Sequence, residues 1–400
     1  SPLKCYVFSA SSDPSRAHST MEILRRHQIE VYALAKQVRL ADRVFEPGNA
    51  YLVPTNQKQF RLLTSLFEKR TTFTDSLFYD VSSWTLPLAF NLPFSELKSP
   101  ARELMGARID WPAQPIGEIV AGSNAYAYIF EWRGYFAPRA LYRLLKAGIK
   151  ARVATRPFES ATSEGKRKFD YGTIMIPTGM QKEKADTLQK ILDIIARDDV
   201  IQVYALSTGA SSDGIDLGSP GFEPVPMPRV MLVVGTGVSS TDVGEAWHLL
   251  DYRFNMEVSL VETQALGRAD LNRYTTIGMS NGVYTSIDSA GTAAIKRWVE
   301  NGGTLITMER AAEWAVNNNI ATARFRKLEP GRRDSTVLRR PYGEQSRYSG
   351  AMNLDGAIFE VTGDRTHPIL FGYDEDRFSV FRGNAIFMEP SRNAYATPLV

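Results

Sequence analysis

The chain has little from which to build a metal or redox centre. It carries a single cysteine, Cys5, and only His18, His27, His248 and His367 as histidines among 400 residues. One cysteine excludes an intrachain disulfide and any zinc cluster built on thiolates. The one H-x-x-E is His27-Gln28-Ile29-Glu30; Glu22 falls one position too far beyond His18 to make a second. No apolar run approaches the ~18 residues that span a bilayer. Ser1 leads almost directly into the strand-like CYVFSA, so no signal peptide is read at the start. The net charge is only +3, and Lys and Arg are spread rather than striped, which gives no case for nucleic acid. The densest basic stretch, 324–340, is broken by Glu329, Pro330, Gly331 and Asp334 and reads as a solvated loop.

What is present is core-forming material. Hydrophobic residues make up 44% of the chain and aromatics 11%, enough for two or three buried cores at this length. Apolar strand-like runs alternate with amphipathic helical ones. LKCYVFSA precedes DPSRAHSTMEILRRH, where Asp13 is placed to cap and Pro14 fits the first helical position. The rhythm restarts at AYAYIFEW, whose following helix APRALYRLLKAG stops at Gly148, and again at RVMLVVG. Strands that are apolar throughout, alternating with helices, imply parallel sheets covered on both faces. The expected fold is therefore α/β, with tandem three-layer flavodoxin- or Rossmann-like domains and mostly parallel sheets. Residues 1–225 read as an N-terminal α/β region, with a possible internal boundary near 112–120. Residues 226–400 read as a further α/β domain. The Gly-, Ser- and Pro-rich stretch 209–228 is the best linker candidate. Residues 320–365 read as an irregular excursion, with HPILFGYD and NAIFME returning to strand and turn.

Candidate chemistry is sparse. GTGVSSTDVG follows a strand and opens a helix, so Gly235, Gly237, Ser239 and Ser240 are candidate ligand contacts through free backbone N–H groups. Ser240 stands where a dinucleotide fingerprint has its third glycine, and Glu257 or Glu262 is the acidic residue further on. The competing reading is a capped turn without a ligand. His248 and Asp251 form an H-x-x-D pair on a helical stretch and are the candidate metal ligands, set against plain helix packing. Cys5 lies inside an apolar run and reads as a buried, inert thiol. In GGTLITMERAAEWAV a β-branched run turns into a helix, as at a nucleophile elbow, yet neither Cys nor Ser stands at the bend. Glu309 is the candidate base there, with His367 as its partner, or simply a carboxylate favoured by a helix N-terminus. The aromatic segments FYDVSSWTLPLAF and EWRGYFAPRALY fit either a carbohydrate or peptide cleft or interdomain packing.

Taken together, RVMLVVGTGVSSTDVGEAWHLLDYRF, YTTIGMSNGVY, WVENGGTLITMERAAEW and HPILFGY, with the upstream runs from YLVPTNQKQF and AYAYIFEWRGYF, resemble the C-terminal part of large bacterial peptidase M14 (zinc carboxypeptidase-like) proteins. The resemblance spans nearly the whole chain. It implies a zinc carboxypeptidase domain upstream as the partner, acting on peptides and holding the zinc, with no cofactor in this chain. It implies a class I glutamine amidotransferase-like domain over 226–400, truncated before its closing strand and helix, and a secreted or periplasmic location. The cysteine nucleophile of those families is missing here, and the one H-x-x-E, His27 to Glu30, stands near the start of a chain that the resemblance places downstream of the peptidase domain. The expected function is a non-catalytic accessory region. The alternatives are an amidotransferase-like hydrolase using Glu309 and His367, or a nucleotide- or small-ligand-binding module.

Overall fold

The computed structural model describes residues 4–11, 13–69, 85–99, 102–120, 125–326, 341–346, 356–384 and 386–400. The fold is mixed α/β, built on three main sheets. Among the described residues no helix is long and apolar enough to cross a membrane. Residues 78–84 of the first aromatic run, and 327–340 of the basic stretch, lie outside the described residues.

The first unit contains β1 (Cys5–Ser9), α1 (Pro14–Arg26), β2 (Tyr32–Leu34), β3 (Val38–Leu40), β4 (Arg43–Phe45), β5 (Ala50–Pro54), α2 (Phe60–Phe67), α3 (Leu86–Ala89), β6 (Phe94–Leu97) and β7 (Met105–Arg108). Helix α1 starts as the sequence indicates: Asp13 Oδ1 accepts from the Ser15 and Arg16 amides at 2.8 and 3.3 Å, and Pro14 occupies the first turn. The sheet order is β6-β1-β5-β2-β7, and every pairing is antiparallel. This corrects the expectation of parallel strands. β1 is buried along its whole length because both sheet faces are covered. Tyr6, Phe8 and Val53 pack with α1 and α2, while Cys5, Val7 and Leu52 pack under the β3–β4 hairpin. An unbroken apolar strand reports two covered faces; it does not report strand direction.

The second unit contains β8 (Ile119–Val120), β9 (Ala127–Phe130), α4 (Ala137–Lys146), β10 (Arg152–Ala154), β11 (Phe158–Thr162), β12 (Gly165–Phe169), β13 (Ile174–Pro177), α5 (Ala185–Asp199), β14 (Val203–Leu206), β15 (Asp213–Gly214) and β16 (Phe222–Pro224). Its sheet, β16-β10-β13-β9-β14-β8, is antiparallel except at β14–β8. Helices α4 and α5 cover one face through Ala140, Leu144, Leu192 and Ile195. The small sheet β12-β11-β15 covers the other, where Phe158, Phe169 and Phe222 meet. The stretch 209–228 is part of this unit rather than a linker: β15 pairs with β11, β16 pairs with β10, and Leu217 is buried in the core.

The third unit contains β17 (Val230–Val234), α6 (Ser240–Trp247), β18 (Val258–Glu262), β19 (Thr276–Met279), α7 (Ser289–Glu300), β20 (Thr304–Thr307) and α8 (Arg310–Asn317). Its order is β18-β17-β19-β20, all parallel. Met231, Ile277 and Met279 pack with Ile295 and Trp298 of α7 and Ala311 of α8. A final hairpin, β21 (Ala357–Thr362) and β22 (Arg377–Arg382), stays out of this sheet and packs against α3 of the first unit. The HPILFGYD stretch is a short 3-10 turn, Pro368–Leu370, rather than a strand. In NAIFME, Met388 forms an isolated bridge to Phe325.

Candidate functional site

The order of the parallel sheet reverses between β17 and β19, and open α/β sheets hold ligands at such a switch point, outside the carboxyl ends of the strands. Two loops leave the sheet there, and backbone hydrogen bonds join them. The Ser239 amide donates to Asn281 O at 2.9 Å, and the Val283 amide to Gly237 O at 2.7 Å. Gly237 has φ +88°, and a Cβ on it would lie 2.0 Å from Val283 O. These glycines therefore serve a close loop–loop approach. The amides of Val238, Ser239 and Asp242 are taken up by Gly235 O, Asn281 O and Ser239 Oγ. Ser239 caps α6 as the sequence suggests. Of the two acidic candidates, Glu262 ends β18 beside Gly235, whereas Glu257 pairs with Lys146 at 2.6 Å.

The strand-to-helix bend at β20 has elbow geometry. Glu309 stands between β20 and α8 with φ +53° and ψ −121°, a positive-φ conformation that non-glycine residues adopt only when the surroundings impose it. The Met308 amide is fixed to Met279 O at 2.9 Å, and Ala312 N donates to Glu309 O at 3.0 Å. The neighbouring strand β19 is followed by Ser280, fully buried, and Asn281. Ser280 Oγ and Asn281 Oδ1 have no hydrogen-bond partner. A cavity of about 450 Å³ opens between the loop after β19 and α8, lined by Tyr284, Thr292, Arg310, Glu313 and Trp314. Arg310 and Glu313 face this cavity, and Glu309 is not among its lining residues.

His367 is engaged elsewhere. Its Nδ1 accepts from the Ile369 amide at 3.3 Å, and no hydrogen bond or ion pair joins it to Glu309. Its segment is docked on the second unit, where Arg365 pairs with Asp170 and Phe371 stacks on Tyr171 at 5.7 Å between centroids. His248 opens a π-helical turn, His248–Arg253, and its ring stacks on Tyr252 at 5.0 Å. Among the described residues no group of three or more His, Cys, Asp or Glu side chains is placed to hold a metal ion. Cys5 is buried in the first sheet, and burial pushes its thiol pKa up to about 12.

The segment EWRGYFAPRALYR joins the three units. The Tyr135 amide donates to Asp13 Oδ2 of the first unit at 2.6 Å. Arg139 and Arg143 both pair with the buried Asp199 at the end of α5. Towards the third unit, Arg253 Nε donates to Tyr135 Oη at 3.2 Å and Tyr142 Oη accepts from the Glu257 amide at 3.1 Å. These aromatics and arginines pack between units rather than lining an open cleft. Sequence reading missed a second cavity at this junction, because nothing local in the chain ties Arg167 to Glu131 and Tyr204. Comparison with family models, with curated proteins and with solved structures returns no match.

Proposed function

We propose that the chain is a non-catalytic accessory region of a zinc carboxypeptidase (peptidase M14)-type protein. In this reading its third unit is a glutamine amidotransferase-like domain that has kept an elbow without a nucleophile. The observation that carries the proposal is Glu309, held at φ +53° in the position where such an elbow presents Cys or Ser. A carboxylate there lies near the N-terminus of α8, where its charge is favoured whether or not it reacts. This reading is supported by His367, whose Nδ1 accepts from the Ile369 amide, in a segment that Phe371 docks on Tyr171 of the second unit. The long runs resembling the peptidase family support an upstream peptidase domain as the partner, with the zinc held there, and a secreted or periplasmic setting. Within such a protein this region packs against the peptidase domain and shapes access to it, or holds a ligand at the carboxyl edge of the parallel sheet.

The purified chain, assayed with added zinc on C-terminal peptide substrates and on glutamine, is expected to show no turnover above buffer. Turnover lost in Glu309→Gln or His248→Ala would overturn the reading.

A further inference from the structure

An edge strand presents unpaired N–H and C=O groups that recruit another strand, and proteins block such edges with charge, with proline or by keeping them short. Among the described residues every edge strand but one is blocked in this way. β6 carries Glu96, β7 Arg108, β12 Lys166, β16 Pro224 and β18 Glu262. Every strand of the two separate hairpins carries an arginine or a glutamate. β8 and β15 are only two residues long. The exception is β20, Thr304–Thr307, at the end of the parallel sheet, which has neither charge nor proline.

Its outer side is open. The amides of Thr304 and Met308 donate inwards to Thr275 O and Met279 O at 3.1 and 2.9 Å. Backbone groups alternate along a strand, so the N–H and C=O of Leu305 and Thr307 point away from β19. Among the described residues no hydrogen bond takes them up. Leu305 packs towards α7 and α8, which puts Thr304, Ile306 and Met308 on the other face. All three are exposed, Ile306 by 51% and Met308 by 41%.

A charged strand would find no counter-charge along Thr304 to Met308. A second β20, running antiparallel about a two-fold axis, meets only uncharged residues. To exchange hydrogen bonds, outward-facing residues must oppose each other, so Leu305 stands opposite Thr307 of the second copy. That register overlaps the whole strand. Ile306 then meets Ile306 of the second copy in a non-hydrogen-bonded pair, where side chains are closest, and Thr304 meets Met308 of the second copy. Glu309 and Arg310 fall opposite Gly303 and Gly302 of the second copy, so no like charges oppose.

We propose that the chain pairs with a second copy of itself through β20, making one sheet continuous across both copies. Strands this short bury less than the ~800 Å² per partner of a standard interface. The dimer is therefore weak and comes apart on dilution, and unfolding of the dilute chain reads the monomer.

The test sediments the full chain from about 10 to about 500 μM. The parent is expected to pass from monomer to dimer across that range, and Ile306→Lys to stay monomeric while unfolding at the parent's temperature. Cysteines read the register, since Cys5 is buried. Under mild oxidation at the highest concentration, Ile306→Cys is expected to form a disulfide-linked dimer at least about ten-fold faster than Thr304→Cys or Met308→Cys alone. Those two variants, mixed, are expected to link to each other at the faster rate. A parent monomeric at every concentration, a dimer that persists in Ile306→Lys, or Ile306→Cys linking no faster than Thr304→Cys alone would overturn the inference.

Discussion

The first and third units both hold apolar strands in a central sheet, but they cover those strands differently. In the first, helices lie on one face and the β3–β4 hairpin closes the other, so β1 has no exposed residue. In the third, α7 and α8 cover one face, and Leu260 and Ile306 on the two edge strands remain 52% and 51% exposed. The parallel register sets these residues in one row with Leu232 and Gly278. The antiparallel sheet is thus the more completely buried of the two. Continuous hydrophobicity measures cover, and a hairpin supplies cover as well as a helix layer does. The sheet with the exposed edge-strand residues is the one that carries the elbow and the switch-point loops.

The largest effect separating the two sheets is expected at Phe8, which is fully buried. Phe8→Ala should lower unfolding stability by about 3–5 kcal/mol, through lost burial and a residual cavity, measured by chemical denaturation with an unchanged m-value. Second comes the alkaline limb of stability. Burial raises the Cys5 pKa from 9.0 to about 12, so its contribution is complete below pH 9 and declines as pH rises towards 12. Between pH 8 and pH 10 this group alone should cost about 1.4 kcal/mol. Cys5→Ala should flatten the stability–pH curve by that amount, and the native thiol should resist alkylation at pH 8 until the chain unfolds. Third, Glu309→Gly should stabilise the protein by ~1 kcal/mol, because glycine adopts positive φ without the side-chain penalty; thermal unfolding reads the gain. Smallest is Ile306→Ala, expected to fall within about 0.5 kcal/mol of the parent. A large loss there would show that this edge strand is covered in solution.

The alternation of strands and helices was legible in the chain, because period and capping are local. Asp13, Pro14 and Gly148 mark helix ends where the structure has them. The bend after TLIT was legible for the same reason, since a β-branched run meeting a helical one must turn between them. Strand direction was not, because β1 and β17 are both apolar runs of five residues, and only their distant partners differ. The stretch 209–228 reads as a linker by composition, yet its glycines and prolines shape turns that carry β15 and β16 to partners outside the stretch itself. The junction cavity was illegible because its ion pairs are long-range: Arg167 and Glu131 are 36 positions apart. The aromatics of EWRGYFAPRALY signalled burial, but sequence alone left open whether the buried surface faced a ligand or another unit.

The central claim is that the bend at Glu309 keeps an elbow's geometry while lacking a nucleophile. Glu309→Cys tests it directly, because a thiol at the start of α8 should have a lowered pKa and react readily in its thiolate form. With Cys5 buried, the new thiol is the only one open to reagent in the folded chain. The account predicts that iodoacetamide alkylates Glu309→Cys at pH 7 several-fold faster than a free cysteine peptide. Alkylation no faster than the peptide, in a variant that unfolds at the parent's temperature, would contradict it.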